Sequence, residues 1–227
     1  LQKEYVGVMH LHKEVDESFL RDTVASFIGK IKQVPPVKSA VARREREREI
    51  YFFDIIEAEG RDVLFRVGCQ AGTYIRKLCF NIGEELKVGA NMQELVRTRA
   101  GPFSENEMYS LHDLEDAYAF YKEGDEKELR KIIKPVEFSV QHLPKIWVFD
   151  SAVDNLCHGS SLYFGGISKV NSDINKDDLT AVLTLKDELI CLGNSQATTE
   201  ELLKNEKGIA VKTSKVFMDR NTYPKIR

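Results

Sequence analysis

Several features that would assign a class at once are missing from this sequence. No apolar run among its 227 residues approaches the length of a membrane span, and no secretory leader pattern is visible. The four cysteines, Cys69, Cys79, Cys157 and Cys191, never fall in Cys-x-x-Cys spacing, and the five histidines are scattered. Neither a disulfide scaffold nor a zinc site is expected, and a reducing, cytosolic setting is. There is no phosphate-binding glycine loop and no Gly-x-Ser-x-Gly. An excess of positive charge is missing too: 33 Lys and Arg stand against 36 Asp and Glu, a net −3. That excludes a generally basic coat for nucleic acid but leaves room for a local basic patch. The chain opens on Leu1 without an initiator methionine and reads as a chain joined partway through.

What is present is enough apolar material, 42%, to bury a core, and enough length for one full domain and a smaller one. Residues 5–12 alternate as a strand, and 16–31 carry Leu20, Val24, Phe27, Ile28 and Ile31 at helical steps behind Asp16 as N-cap. Pro35-Pro36 and the arginine run make 32–50 a long loop with an extended arm. Residues 51–57 and 62–68 form a hairpin, and a helix with Ile75, Leu78, Cys79, Ile82 and Leu86 on one stripe follows Gly72. Residues 92–100 return as a strand stopped by Gly101-Pro102. Short helices are expected at 111–122, 125–133 and 135–142, with a domain boundary at Pro144. Beyond it come a strand at 146–150, a helix at 151–157, and strands at 179–185, 189–193 and 209–218, the pattern of a small barrel or sandwich.

Few residues suggest chemistry. Arg43, Arg44, Arg46 and Arg48 alternate with Glu45, Glu47 and Glu49, and Lys38 precedes them. As a strand this places a guanidinium row on one side, which suits a phosphate backbone; on composition alone a solvated, self-paired charge run is the commoner reading. Arg76 follows a glycine turn on an otherwise amphipathic helix, where it can be a surface group or can hold a carboxylate in a pocket. Tyr5 can stack on a base or sit in the core. His10 and His12 share a strand face without further ligands at metal spacing. Cys79 lies in the apolar stripe, and adjacent Cys157 and His158 do not face each other as a catalytic pair would.

Four stretches together resemble the TruB-type pseudouridine synthases, specifically the archaeal H/ACA ribonucleoprotein enzymes related to dyskerin. They are KEYVGVMHLHKEV at 3–15, QVPPVKSAVARRERER at 33–48, CQAGTYIRKLCFNIGEELKVGANMQELVRTRAGPF at 69–103, and a C-terminal set beginning HLPKIWVFDSAVDNLCHGSSL at 142–162. The last, with TLKDELICLG at 184–193 and KGIAVKTSKVFMDRNTYPK at 207–225, resembles a PUA domain, a small RNA-binding barrel. The implied fold is α+β: a mixed sheet flanked by helices over residues 1–143, incomplete because its upstream half is absent, and a PUA β-barrel over 144–227.

The resemblance implies isomerisation of uridine to pseudouridine in RNA with no cofactor and no metal. Tyr5 corresponds to the tyrosine that stacks on the flipped base, Arg76 to the arginine that pairs with the nucleophilic aspartate, and Leu95 to an apolar residue beside the base. The loop 32–42 corresponds to a mobile thumb, and Lys38, Arg43, Arg44, Arg46 and Arg48 are expected along RNA. His158, Gly159 and Lys169 are the expected RNA contacts of the terminal barrel, with Gly165-Gly166 nearby. Implied partners are an H/ACA guide RNA, the substrate RNA, a small zinc-ribbon protein, a small β-barrel protein and a kink-turn-binding protein, away from any membrane. The family's Gly-x-Leu-Asp block, which carries the nucleophile, occurs nowhere in residues 1–227, so the chain is expected to be inactive alone. Val96 and Ala42 stand where the family carries cations. A non-catalytic RNA-binding or assembly subunit and a guide-independent tRNA enzyme remain alternatives.

Overall fold

Period-two alternation makes β1 (Gln2–Leu11) a strand with Gly7, Met9 and Leu11 buried and the residues between them partly exposed. It lies inside a sheet of the computed structural model, which describes residues 2–35, 42 and 44–225. The chain divides into two compact units, Leu1–Tyr109 and Ser110–Arg227.

In the first unit, β1 is followed by α1 (Glu17–Ala25), β2 (Gly29–Gln33), β3 (Arg46–Glu59), β4 (Asp62–Gln70), α2 (Ile75–Glu85), β5 (Ala90–Ala100) and β6 (Phe103–Ser104). The six strands run antiparallel to their neighbours in the order β2-β3-β4-β1-β5-β6. Leu20 and Val24 of α1 and Ile75, Leu78, Cys79 and Ile82 of α2 share one core with Met9, Ile50, Phe65 and Val67 of the sheet. Phe53 and Phe65 stack inside it, ring centroids 4.9 Å apart. Asp16 caps α1 by accepting from the Ser18 hydroxyl and the Ser18 and Phe19 amides, and these bonds hold its carboxyl below the usual range.

One expectation fails here. The helix expected over 16–31 ends at Ala25, and Ile31 lies in β2; the extended arm enters β3 at Arg46. Gly29, with φ +100°, turns the chain, and β2 then pairs with β3 from Gly29↔Ile50 to Gln33↔Arg46. The spacing of Phe27, Ile28 and Ile31 satisfies helical steps, but long-range pairing outweighs it.

The second unit holds α3 (Leu111–Lys122), α4 (Lys127–Ile132), β7 (Lys145–Val148), α5 (Asp150–Cys157), β8 (Leu162–Tyr163), β9 (Ile167–Val170), β10 (Leu179–Leu183), β11 (Leu189–Ser195), α6 (Thr199–Lys204) and β12 (Ile209–Val216). Its sheet runs β8-β12-β11-β10-β7-β9, with β7 and β10 parallel and the other neighbours antiparallel. The helix expected at 135–142 is a 3-10 turn, Val136–Val140. The reading missed α6, although Thr198 and Glu201 form the capping box that Thr-x-x-Glu announces. Val140 and Leu143 pack with Ala181, Leu183 and Leu189 of the terminal sheet. No helix among the described residues is long and apolar enough to cross a membrane.

Candidate active site

The pleat of β1 decides where Tyr5 goes. Odd positions face the helices, so Tyr5 joins Gly7, Met9 and Leu11 on that side and is partly buried against the core. Gly7 pairs across the ladder with Leu95 of β5. A Cβ on Gly7 would lie 2.7 Å from the Glu94 carbonyl oxygen and 2.9 Å from Leu95 Cδ1, so the bare backbone lets Leu95 lie close over β1. Val96 faces the opposite way and is 55% exposed.

The opposite wall is the turn from β4 into α2. The Thr73 hydroxyl donates to the Gln70 carbonyl at 2.7 Å, and the Thr73 amide donates to the same oxygen at 3.2 Å. Gln33, 2% exposed at the end of β2, accepts from the Tyr74 amide at 3.0 Å and donates to the Tyr74 carbonyl at 3.2 Å. Arg48 donates to the Gly72 carbonyl at 3.2 Å and to the Glu47 carbonyl at 2.8 Å. Fixed in this way, the first turn of α2 delivers Arg76 to the space beside Tyr5.

The result is a cavity of about 430 Å³. Tyr5, Tyr74, Met92 and Leu95 give it apolar and aromatic walls; Arg76, Lys77 and Phe80, with Thr73 and Ile75, complete it. That size lies in the range of small-ligand pockets. The lining has two cations and no carboxylate. The Arg76 guanidinium has no ion-pair or hydrogen-bond partner among the described residues, whereas other arginines pair: Arg21 with Glu17, Arg66 with Asp54, Arg130 with Glu126. Such a pocket can hold a planar base between apolar walls and orient an acid with a guanidinium fork.

Tyr5, Arg76 and Leu95, chosen from the sequence, therefore line one cavity. Tyr74, Lys77, Phe80 and Met92 were missed. Phe80 offered a signal, since it is an aromatic off the apolar stripe of α2, and it is 44% exposed. Gln33 offered none, because a glutamine before Pro35-Pro36 reads as loop.

The arginine row is only partly as expected. Lys38 and Arg43 fall outside the described residues. Arg46 and Arg48 share a side of β3 and are half-buried, while Glu45 and Glu47 turn to β2 and meet Lys32 at 3.7 Å and Lys30 at 3.1 Å. Those glutamates pair with lysines across the ladder rather than with the arginines beside them. Arg48 is occupied by backbone carbonyls, and Arg44 is exposed before the strand begins.

In the second unit none of the three expected contacts lines a cavity described for that unit. A cavity of about 230 Å³ is lined by Ser151, Asn155, Ser161, Tyr163, Gly165 and Gly166 among others, but by neither His158, Gly159 nor Lys169. His158 closes α5, its Nδ1 2.8 Å from the Asp154 carbonyl oxygen, and Gly159 follows with φ +86°. Lys169 lies over the Trp147 ring at 4.3 Å. Burial raises the thiols of Cys79, to about 12, and Cys191, to about 11, so neither is a poised nucleophile. His10 binds Asp62 at 2.6 Å, and His12 binds Asn91 at 3.1 Å. No three potential metal ligands cluster among the described residues.

Comparison with known proteins adds independent findings. The family description "TruB family pseudouridylate synthase (N terminal domain)" matches residues 2–75, "tRNA pseudouridylate synthase B C-terminal domain" matches 76–141, and "PUA domain" matches 144–217. The chain is 54% identical to the probable tRNA pseudouridine synthase B of Methanopyrus kandleri over 98% of this chain and 66% of that one. It is also 54% identical to the protein of that name from Pyrococcus abyssi, over 99% and 68%. Among solved structures it superimposes on a chain of a Cbf5-Nop10-Gar1 complex with a TM-score of 0.91 at 52% identity, covering 99% of this chain and 69% of that one. A chain of an H/ACA RNP bound to a substrate RNA containing 2'-deoxyuridine gives 0.87 at 50% identity, over 99% and 68%. The sequence thus spans about two thirds of the length of the proteins it resembles.

Proposed function

Because the chain belongs to the TruB family of pseudouridine synthases, we propose that it carries the base-binding half of a uridine isomerase acting on RNA. The observation that supports this most is the convergence on one cavity of Tyr5, Leu95 and an Arg76 with no partner among the described residues. Tyr5 stacks on a uracil drawn out of its helix, Leu95 packs against its edge, and Arg76 orients a carboxylate at the sugar. The overall change breaks the N1–C1′ bond and forms C5–C1′. C5 loses a proton and N1 gains one, so no electrons enter or leave.

No described residue brings a carboxylate into the cavity. The aspartate expected to attack must therefore come from elsewhere, and residues 1–227 by themselves are expected to give no turnover. Release of tritium from RNA labelled at uridine C5 measures this. The native enzyme should release it, and Arg76→Ala should lower the rate at least about 100-fold, since an unheld carboxylate loses both charge pairing and aim. Undiminished release by Arg76→Ala would overturn the reading.

One structure it resembles is a Cbf5-Nop10-Gar1 complex, and another is an H/ACA RNP bound to a substrate RNA. From the family resemblance we assign a guide RNA, the zinc-ribbon and small β-barrel companions, and a kink-turn-binding protein as partners, with 144–227 as the RNA-gripping module. Turnover measured with and without guide RNA separates this from a guide-independent enzyme; the relatives are named probable tRNA pseudouridine synthase B.

A further inference from the structure

Lys77 has no role in the reading above, yet it lines the same cavity as Tyr5 and Arg76. Its ammonium sits 3.9 Å from the centre of the Phe80 ring, one helical turn on. It makes no ion pair or hydrogen bond with any described residue. A ring face attracts a cation but accepts none of its three N–H donors in the way an anion does. The placement is also electrostatically unfavourable by itself. The first turn of α2 has no acidic residue and carries Arg76 and Lys77 side by side at the positive end of the helix. Lys30 and Lys32, in the same unit, each meet a glutamate. A cation held over an aromatic ring at the mouth of a base-sized pocket, without an acid nearby, is arranged for an anion that arrives with the ligand.

Resting on the isomerase reading, we propose that Lys77 binds a backbone phosphate flanking the extruded uridine. Arg76 and Lys77 then divide the work: the planar fork takes the carboxylate, and the point charge takes the phosphodiester. Phe80 stores the ammonium at the rim until RNA enters. The ligand class of the pocket is accordingly a nucleotide within a chain rather than a free base or nucleoside.

The test uses the native enzyme with its substrate RNA. Lys77→Gln should raise KM about fivefold and leave kcat within about twofold. The slope of log affinity against log salt should fall by about 0.7, one released counterion on a single strand. Lys77→Arg should restore both. An RNA with one uncharged methylphosphonate linkage next to the target should lose the same slope with wild-type enzyme and nothing further with Lys77→Gln. Lys122, which lies over Tyr118 at 4.6 Å outside the cavity, provides the control, and Lys122→Gln should leave the slope unchanged. An unaltered slope for Lys77→Gln, an equal change for Lys122→Gln, or full additivity with every neighbouring methylphosphonate would each sink the proposal. If Arg76→Ala abolishes turnover while Lys77→Gln leaves the slope intact, only the phosphate assignment falls. If Arg76→Ala stays active, the isomerase reading falls with it.

Discussion

Gln33 and Tyr74, 41 positions apart, exchange two hydrogen bonds through a buried side-chain amide, one in each direction. The amide acts as a one-residue extension of β2, pairing with the backbone just before α2. Gln33→Leu removes both bonds: the Tyr74 N–H loses its side-chain acceptor, while the Tyr74 carbonyl keeps the Leu78 amide at 3.0 Å. The expected cost is about 2 kcal/mol in a denaturant titration, with a fall in turnover because the turn that aims Arg76 loosens. Gln33→Glu should be no better, since a carboxylate facing the Tyr74 carbonyl repels it. An unchanged unfolding midpoint for both variants would contradict this.

In the proposed function Tyr5 carries two separable tasks. Tyr5→Phe keeps the ring and loses the hydroxyl, so substrate affinity should stay near wild type while turnover falls. Tyr5→Ala should weaken binding by about 1–3 kcal/mol, the value of one stacked base. Equal affinities for the two variants would show that the ring does not stack on RNA.

The arginines of the arm should not contribute equally. Arg44→Gln and Arg46→Gln are each expected to lower the salt slope of RNA binding by about one contact. Arg48→Gln should cost stability as well, because its guanidinium already holds the Gly72 and Glu47 carbonyls. A variant at Arg48 that changes only the salt slope would argue against that structural role.

Cys79 and Cys191 are buried, with thiols raised to about 12 and about 11. In the native fold at pH 8 neither should react with iodoacetamide, and both should label once denaturant is added. Rapid labelling of either in the native state would mean that its core opens.

The Tyr223 hydroxyl donates to Glu188 at 2.6 Å, and Thr184 donates to the same carboxylate at 2.9 Å. The Tyr223 bond, then the Thr184 bond, hold the Glu188 carboxyl below its ordinary range, while the Glu188 bond raises the Tyr223 phenol. A lowered carboxyl stabilises the fold above its unfolded value, and the contribution is lost as pH falls through the lowered one. A raised phenol stabilises below its unfolded value, and that is lost as pH rises through the raised one. The gap in Tm between wild type and Tyr223→Phe should therefore be full near neutral pH and shrink by about pH 3. A gap that does not change with pH would assign the contact to packing alone.

Local pattern was sufficient where one face decides the element. The alternation of β1, the stripe of α2 and the hairpin around Gly60 were legible because burial on one side leaves a period in the residues. Tyr5, Arg76 and Leu95 were legible as candidates through the motifs that surround them. Where two readings of the same residues were possible, as at Gly29–Gln33, only a partner strand from residues 46–50 chose between them.

By itself, the sequence determined the family, the division of charge and the choice of Tyr5, Arg76 and Leu95 as candidates. The tertiary structure decided which side chains reach the cavity, that Arg76 has no partner among the described residues, that Arg48 is already engaged, and that Lys77 lies over a ring. The physical reason is distance along the chain. Periodicity reports the environment of neighbours, whereas the cavity joins β1, α2 and β5, and Gln33 braces it from β2, through contacts that no local pattern encodes.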